Sequence, residues 1–144
     1  MGEGGLTEVF LNECTEIIGN LESDLVTLEE KNDDQDIINR IFRYFHTLKG
    51  SSGIAGFTVI YEFTHNLESL FDKVRSGEIM VNRDIIDILL DSIDYIKDEL
   101  FRDSDSSESE AVRKNLTARI NVFLGGSEMK EEEPEDFLKA VGAY

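Results

Sequence analysis

The sequence predicts an all-α protein, an antiparallel four-helix bundle with an additional C-terminal fifth helix. Three observations carry that reading. Apolar residues recur every three or four positions along most of the chain, which is the spacing of one helix face. Alternating stretches rich in Val and Thr are lacking and there is a single proline, so half-buried strands and their turns have no support. The chain has 144 residues, of which 40% are apolar, enough for one core of single-domain size.

The first helix is expected over 7–28, with Thr7 as a plausible N-cap. Its apolar residues Phe10, Cys14, Ile17, Leu21, Leu25 and Leu28 fall on one stripe. The charged stretch Glu29 to Gln35 breaks that pattern. A second helix over 36–54 carries Ile38, Ile41, Phe42, Phe45 and Leu48 inward, and Gly53 and Gly56 mark where it frays and turns. The third, over 58–76, presents Ile60, Phe63, Leu67, Leu70 and Val74. Gly77 suits its C′ position, and Lys73 and Arg75 favour the dipole of its last turn.

Asn82 can cap a fourth helix over 83–102 with the stripe Ile86, Leu89, Ile93, Ile96 and Leu100. After a loop DSDSSESE (103–110) comes a shorter fifth helix over 109–124, with Val112, Leu116, Ile120 and Phe123, ended by Gly125 and Gly126. Short connections between long amphipathic helices favour antiparallel neighbours. Residues 1–126 therefore form the expected domain. Residues 127–144, net −4 around Pro134, read as an acidic linker or tail.

Acidic residues outnumber basic ones 31 to 14, a net charge of −17. Such a surface repels phosphate polymers and anionic lipid, so nucleic-acid binding and membrane-surface binding are not expected. No apolar run approaches the ~20 residues of a spanning helix, and no signal-peptide pattern opens the chain. One cysteine, Cys14, allows no internal disulfide and no thiolate zinc site. The expected setting is cytoplasmic.

Two metal motifs can be tested by spacing. The loop from Asp103 has Asp105 and Ser107 where an EF-hand would place ligands, but Glu108 replaces the required glycine and Lys114 the terminal glutamate. Glu62 and His65 have the Glu-x-x-His spacing of a di-iron bundle, but the other histidine, His46, follows Arg43 at that distance. No metal is expected in this chain.

The segment RIFRYFHTLKGSSGIAG (40–56) is the informative one. Residues 36–55 carry net charge +2 within an acidic chain. On a helical wheel Ile38, Ile41, Phe45 and Leu48 share one sector, whereas His46, Lys49, Gly50 and Gly53 all fall to the same side of it. His46 thus stands on a solvent-facing shoulder beside the core stripe. Gly50 and Gly53 on that face cost roughly 1 kcal/mol each relative to Ala, a cost suited to a place where another surface approaches the backbone. Lys49 is a cation placed to meet an anion on the histidine. An exposed histidine on a fraying helix end fits the spacing equally well. On the third helix, Tyr61, His65, Glu68 and Asp72 form a polar strip beside the apolar seam. In an antiparallel pair the two shoulders can face each other, and a carboxylate on the Nδ1–H of His46 would leave Nε2 as a nucleophile.

HTLKGSSGIAGF (46–57) resembles the histidine phosphotransfer (HPt) motif, and THNLESLFDKVRSGE (64–78) resembles the N-terminal phosphoacceptor domain of the chemotaxis histidine kinase CheA. The first helix, LTEVFLNECTEIIGNLESDLVTLE (6–29), is similar to that domain's first helix. The resemblance implies a helical bundle in which His46 is the phosphoacceptor, modified on Nε2. It implies Lys49 nearby, His65 and Glu68 completing a hydrogen-bonded cluster, and Gly50 and Gly53 keeping a partner-facing surface open. On this reading Glu68 orients His46 by accepting its Nδ1–H. The chain would hold no cofactor and no enzyme activity of its own. A kinase domain of the parent histidine kinase, in trans in a dimer, would supply phosphoryl from Mg²⁺-ATP to a monomeric phosphoacceptor domain. A response regulator of the CheY or CheB type, with its own Mg²⁺, would receive it on an aspartate. Two alternatives remain, an HPt domain of a non-chemotaxis multistep phosphorelay and a non-catalytic acidic helical adaptor.

Overall fold

The computed structural model describes residues 2–101 and 106–125, with side chains from Thr7 to Phe101 and from Glu108 to Gly125. Five helices follow in order, α1 (Gly2–Glu30), α2 (Gln35–Ala55), α3 (Thr58–Arg75), α4 (Arg83–Phe101) and α5 (Ser106–Phe123). Helices α1 to α4 close an antiparallel ring, α1 packing on α2 and α4, and α3 on α2 and α4. Helix α5 lies against α3 and α4.

Every apolar residue expected inside the first, third and fourth helices is buried, and Ile18, Phe71, Ile85, Ile88 and Tyr95 join them. In α2 Ile38, Ile41, Phe45 and Leu48 are buried, while Phe42 is half-buried with the Arg75 guanidinium 4.0 Å above its ring centroid. Two aromatic contacts knit the ring, Phe45 with Phe71 across α2 and α3, and Phe63 with Tyr95 across α3 and α4. Arg40 grips Asp24 of α1 with two bonds of 2.7 and 2.9 Å, and Lys97 of α4 reaches Glu22 at 2.8 Å.

The helix ends differ from expectation in instructive ways. Helix α1 begins at Gly2, upstream of the proposed Thr7 cap. Asp34 caps α2, its Oδ1 accepting from the amides of Asp36 and Ile37 at 3.1 and 3.2 Å, which starts the helix at Gln35. Gly53 does not fray α2. The helix continues to Ala55 and stops at Gly56, whose φ of 88° is left-handed and favours glycine. There the Phe57 amide bonds the Ser52 carbonyl at 2.9 Å. Gly77, φ 87°, ends α3 in the same manner, and Asn82 caps α4 through the Ile85 amide at 2.9 Å, both as expected.

The loop expected over 103–110 is partly helical. Helix α5 starts at Ser106, with Glu108 in its first turn, where a carboxylate suits the dipole. Ser109 donates to Glu99 of α4. Leu116 and Ile120 are buried, but Val112 is 44% exposed and lies outside the core. The acidic tail 127–144, Gly126 and the start of the expected 103–110 loop fall outside the described residues. No described helix is long and apolar enough to cross a membrane.

Candidate functional site

Helix α2 is held by Phe45 and Leu48, both fully buried. That anchoring leaves the intervening His46 pointing outward, its side chain 66% exposed. Ser52 reinforces this stretch by donating to the Leu48 carbonyl at 2.7 Å, and Ser51 donates to Glu13 of α1 at 3.1 Å. The facing helix is fixed in the same way. Leu67 of α3 is fully buried, which places its neighbour Glu68 at the seam between the two helices.

The Glu68 carboxylate is shared between two partners. Its Oε2 lies 2.6 Å from Nδ1 of His46 and its Oε1 lies 2.6 Å from Nζ of Lys49. The Glu68 side chain is 12% exposed and that of Lys49 18%. Burial, the largest single influence, pushes the Glu68 carboxyl up. The hydrogen bonds and charges of Lys49 and His46 together outweigh it, so the group sits below its ordinary value. An ionised carboxylate only accepts, so Nδ1 of His46 is the donor. In the neutral ring this tautomer places the lone pair on Nε2.

The structure brings His46, Lys49 and Glu68 together and leaves His65 aside. His65 is half-buried on α3, its Nδ1 is buried, and among the described residues this atom has no hydrogen-bond partner. It therefore does not complete the hydrogen-bonded cluster expected of it. Lys49 lies beside the ring through this shared carboxylate, its ammonium 2.6 Å from Glu68 Oε1.

The two glycines also separate. Around Gly50 a Cβ would meet nothing within 4 Å, an open approach to the turn beside His46. At Gly53 it would stand 3.0 Å from Cδ1 of Tyr61. The bare backbone there seats an aromatic ring of α3, so Gly53 serves the α2–α3 contact. Tyr61, placed by the wheel in a polar strip, gave no sign of this packing. Arg43 stands exposed one turn before His46, a place legible in the sequence from the three-residue spacing alone.

Fold and site together define a helical-bundle domain that presents a single oriented, exposed imidazole on one helix. The Hpt domain model matches residues 5–99, and the chain belongs to that family. It is 43% identical over 117 residues to the sensor histidine kinase CheAY of Helicobacter pylori, and 40% identical over 119 residues to the chemotaxis protein CheA of Borreliella burgdorferi. These alignments cover 80% and 83% of this chain but 15% and 14% of those proteins. The CheA phosphotransferase domain from Thermotoga maritima superimposes with a TM-score of 0.66 at 35% identity, covering 69% of this chain and 94% of that one.

Proposed function

We propose that this chain is the phosphoacceptor domain of a chemotaxis histidine kinase, with His46 relaying a phosphoryl group through Nε2. The observation that carries this reading is the 2.6 Å contact between His46 Nδ1 and Glu68 beside an exposed ring. Glu68 holds the tautomer and orientation, so the nucleophilic lone pair faces solvent before any donor arrives. As Nε2 bonds to the γ-phosphorus of ATP, the bridging P–O bond breaks and its electron pair leaves on ADP. Positive charge growing on the imidazole is met at Nδ1 by the carboxylate, while Lys49 keeps that carboxylate ionised and in place.

The nucleotide and its Mg²⁺ belong to a kinase domain acting on this one, and a response regulator of the CheY or CheB type takes the group onto an aspartate. Gly50 leaves the turn beside His46 open, and His65 makes no bond to the ring. Family membership and the names of the relatives support the chemotaxis assignment over a multistep relay.

The test is incubation with a cognate kinase core, Mg²⁺ and ATP. The wild-type chain should gain acid-labile, alkali-stable phosphate, and His46→Gln should gain none while keeping its helical circular dichroism. Label retained in His46→Gln would move the acceptor elsewhere. Transfer profiling against several response regulators separates chemotaxis from a multistep relay.

A further inference from the structure

In a chain with 31 acids and 14 bases, a cation without a carboxylate is conspicuous. Among the described residues, Arg40, Lys49, Lys73, Arg75, Arg83, Lys97, Arg113, Lys114 and Arg119 each have one within 4.0 Å. Lys31 and Arg43 do not, and Lys31 lies in the turn after α1. Arg43 is exposed on α2, three residues before His46. At that spacing the two Cβ atoms are about 5–6 Å apart. Helical side chains lean toward the N-terminus, so the His46 imidazole leans over the turn that carries Arg43.

We infer that Arg43, not Lys49, is the cation that meets the phosphoryl oxygens as the group enters and leaves Nε2 of His46. The inference rests on the phosphoacceptor reading above and adds a residue to it. Lys49 already neutralises the Glu68 carboxylate that bonds Nδ1, whereas Arg43 brings a charge that no carboxylate offsets. An incoming phosphoryl group brings negative charge onto a protein of net charge −17, and a planar guanidinium with paired donors suits two phosphoryl oxygens. Lys49 and Glu68 thus orient the nucleophile, while Arg43 receives the charge transferred.

A small donor isolates this role from any partner surface. Phosphoramidate with its nitrogen protonated forms the Nε2–P bond as its own P–N bond breaks and neutral ammonia leaves, while Nδ1 keeps its proton, hydrogen-bonded to Glu68. The wild-type chain, Arg43→Gln and Arg43→Lys should be labelled with phosphoramidate at low salt and again at 0.5 M. Arg43 is exposed and outside the core, so the variants should keep the fold. Labelling of Arg43→Gln should be about tenfold slower than wild type, below the full range for a positioned donor because the group is exposed. Arg43→Lys should fall between, salt should narrow the gap, and the phosphorus resonance of phosphohistidine should move in Arg43→Gln.

Equal phosphoramidate rates for wild type and Arg43→Gln would overturn the inference and leave the phosphoacceptor reading standing. A deficit seen only with the kinase would likewise overturn it, placing Arg43 at a protein contact. A wild-type chain that takes no label at His46 from either donor would overturn both.

Discussion

Glu68 gives one oxygen to His46 and the other to Lys49, each at 2.6 Å, and two predictions follow at the scale of this residue. Glu68→Gln keeps the shape but removes the charge that selects the Nδ1–H tautomer. Phosphorylation by the kinase should slow within roughly the 10²–10⁴-fold range of a positioned acid–base group, with KM for the kinase little changed. Imidazole ¹⁵N shifts should show a larger share of the Nε2–H tautomer. An unchanged rate with unchanged shifts would show that the carboxylate does not orient the ring. The second prediction concerns acid. The Glu68 carboxyl is held below its ordinary 4.5 in the folded chain, so the unfolded state binds the proton more readily. Its contribution to stability is present above about pH 4.5 and is lost as pH falls through the lower folded value. Urea midpoints of the wild type should therefore drop more steeply below pH 4.5 than those of Glu68→Gln. Cys14 shows the opposite displacement. Burial, and then the neighbouring Glu13 charge, push its thiol up to about 12, so alkylation of the native chain at pH 8 should be limited by opening of the fold.

At the scale of an element, α2 contains two glycines that a propensity scale treats alike. A methyl at Gly50 would meet nothing, whereas one at Gly53 would press on the Tyr61 ring at 3.0 Å. Gly50→Ala should therefore raise stability by about 1 kcal/mol, the helix-propensity difference. It should also slow transfer from the kinase, because the new methyl stands on the open approach near His46. Gly53→Ala should gain less, since Tyr61 must shift to admit the side chain. Urea denaturation of the two variants decides this, and equal stabilisation would show that the Tyr61 contact costs nothing to displace. The same comparison measures how firmly α2 and α3 are held apart at the end that carries the site. Burial of Phe45 and Leu48 supplies the rest of that rigidity, and Phe45→Ala should cost about 3–5 kcal/mol.

Across the whole molecule, the excess of acids sets the response to salt. Ion pairs such as Arg83 with Glu29 and Arg119 with Asp91 tie the surface locally, and such exposed pairs contribute little each. Self-repulsion of a net −17 chain should dominate, so raising salt from low values to 0.5 M should increase the unfolding free energy by about 1 kcal/mol. A decrease would show that the ion pairs carry more stability than the repulsion removes.

The helical stripes of α1, α3 and α4 were readable from the sequence because burial on a helix repeats with its turn, a one-dimensional signal. His46 was readable for the same reason, as a histidine beside an apolar stripe within a glycine-bearing, basic segment. The similarity of residues 46–57 and 64–78 to a known motif then supplied its chemistry. The tertiary structure decided what depends on distance between helices. Glu68 was one of several polar groups on α3 until its oxygens lay 2.6 Å from nitrogens of His46 and Lys49. Lys49 changed from a cation awaiting an anion to one already paired, His65 was left outside the cluster, and Gly53 became the seat of an aromatic ring. Val112 matched the stripe of α5 yet stayed exposed, because α5 packs on the outside of the ring and buries a narrower face. Periodicity states which side of a helix is apolar. Which groups meet across a seam is set by the separation and register of two packed helices, and those arise only when the whole core closes.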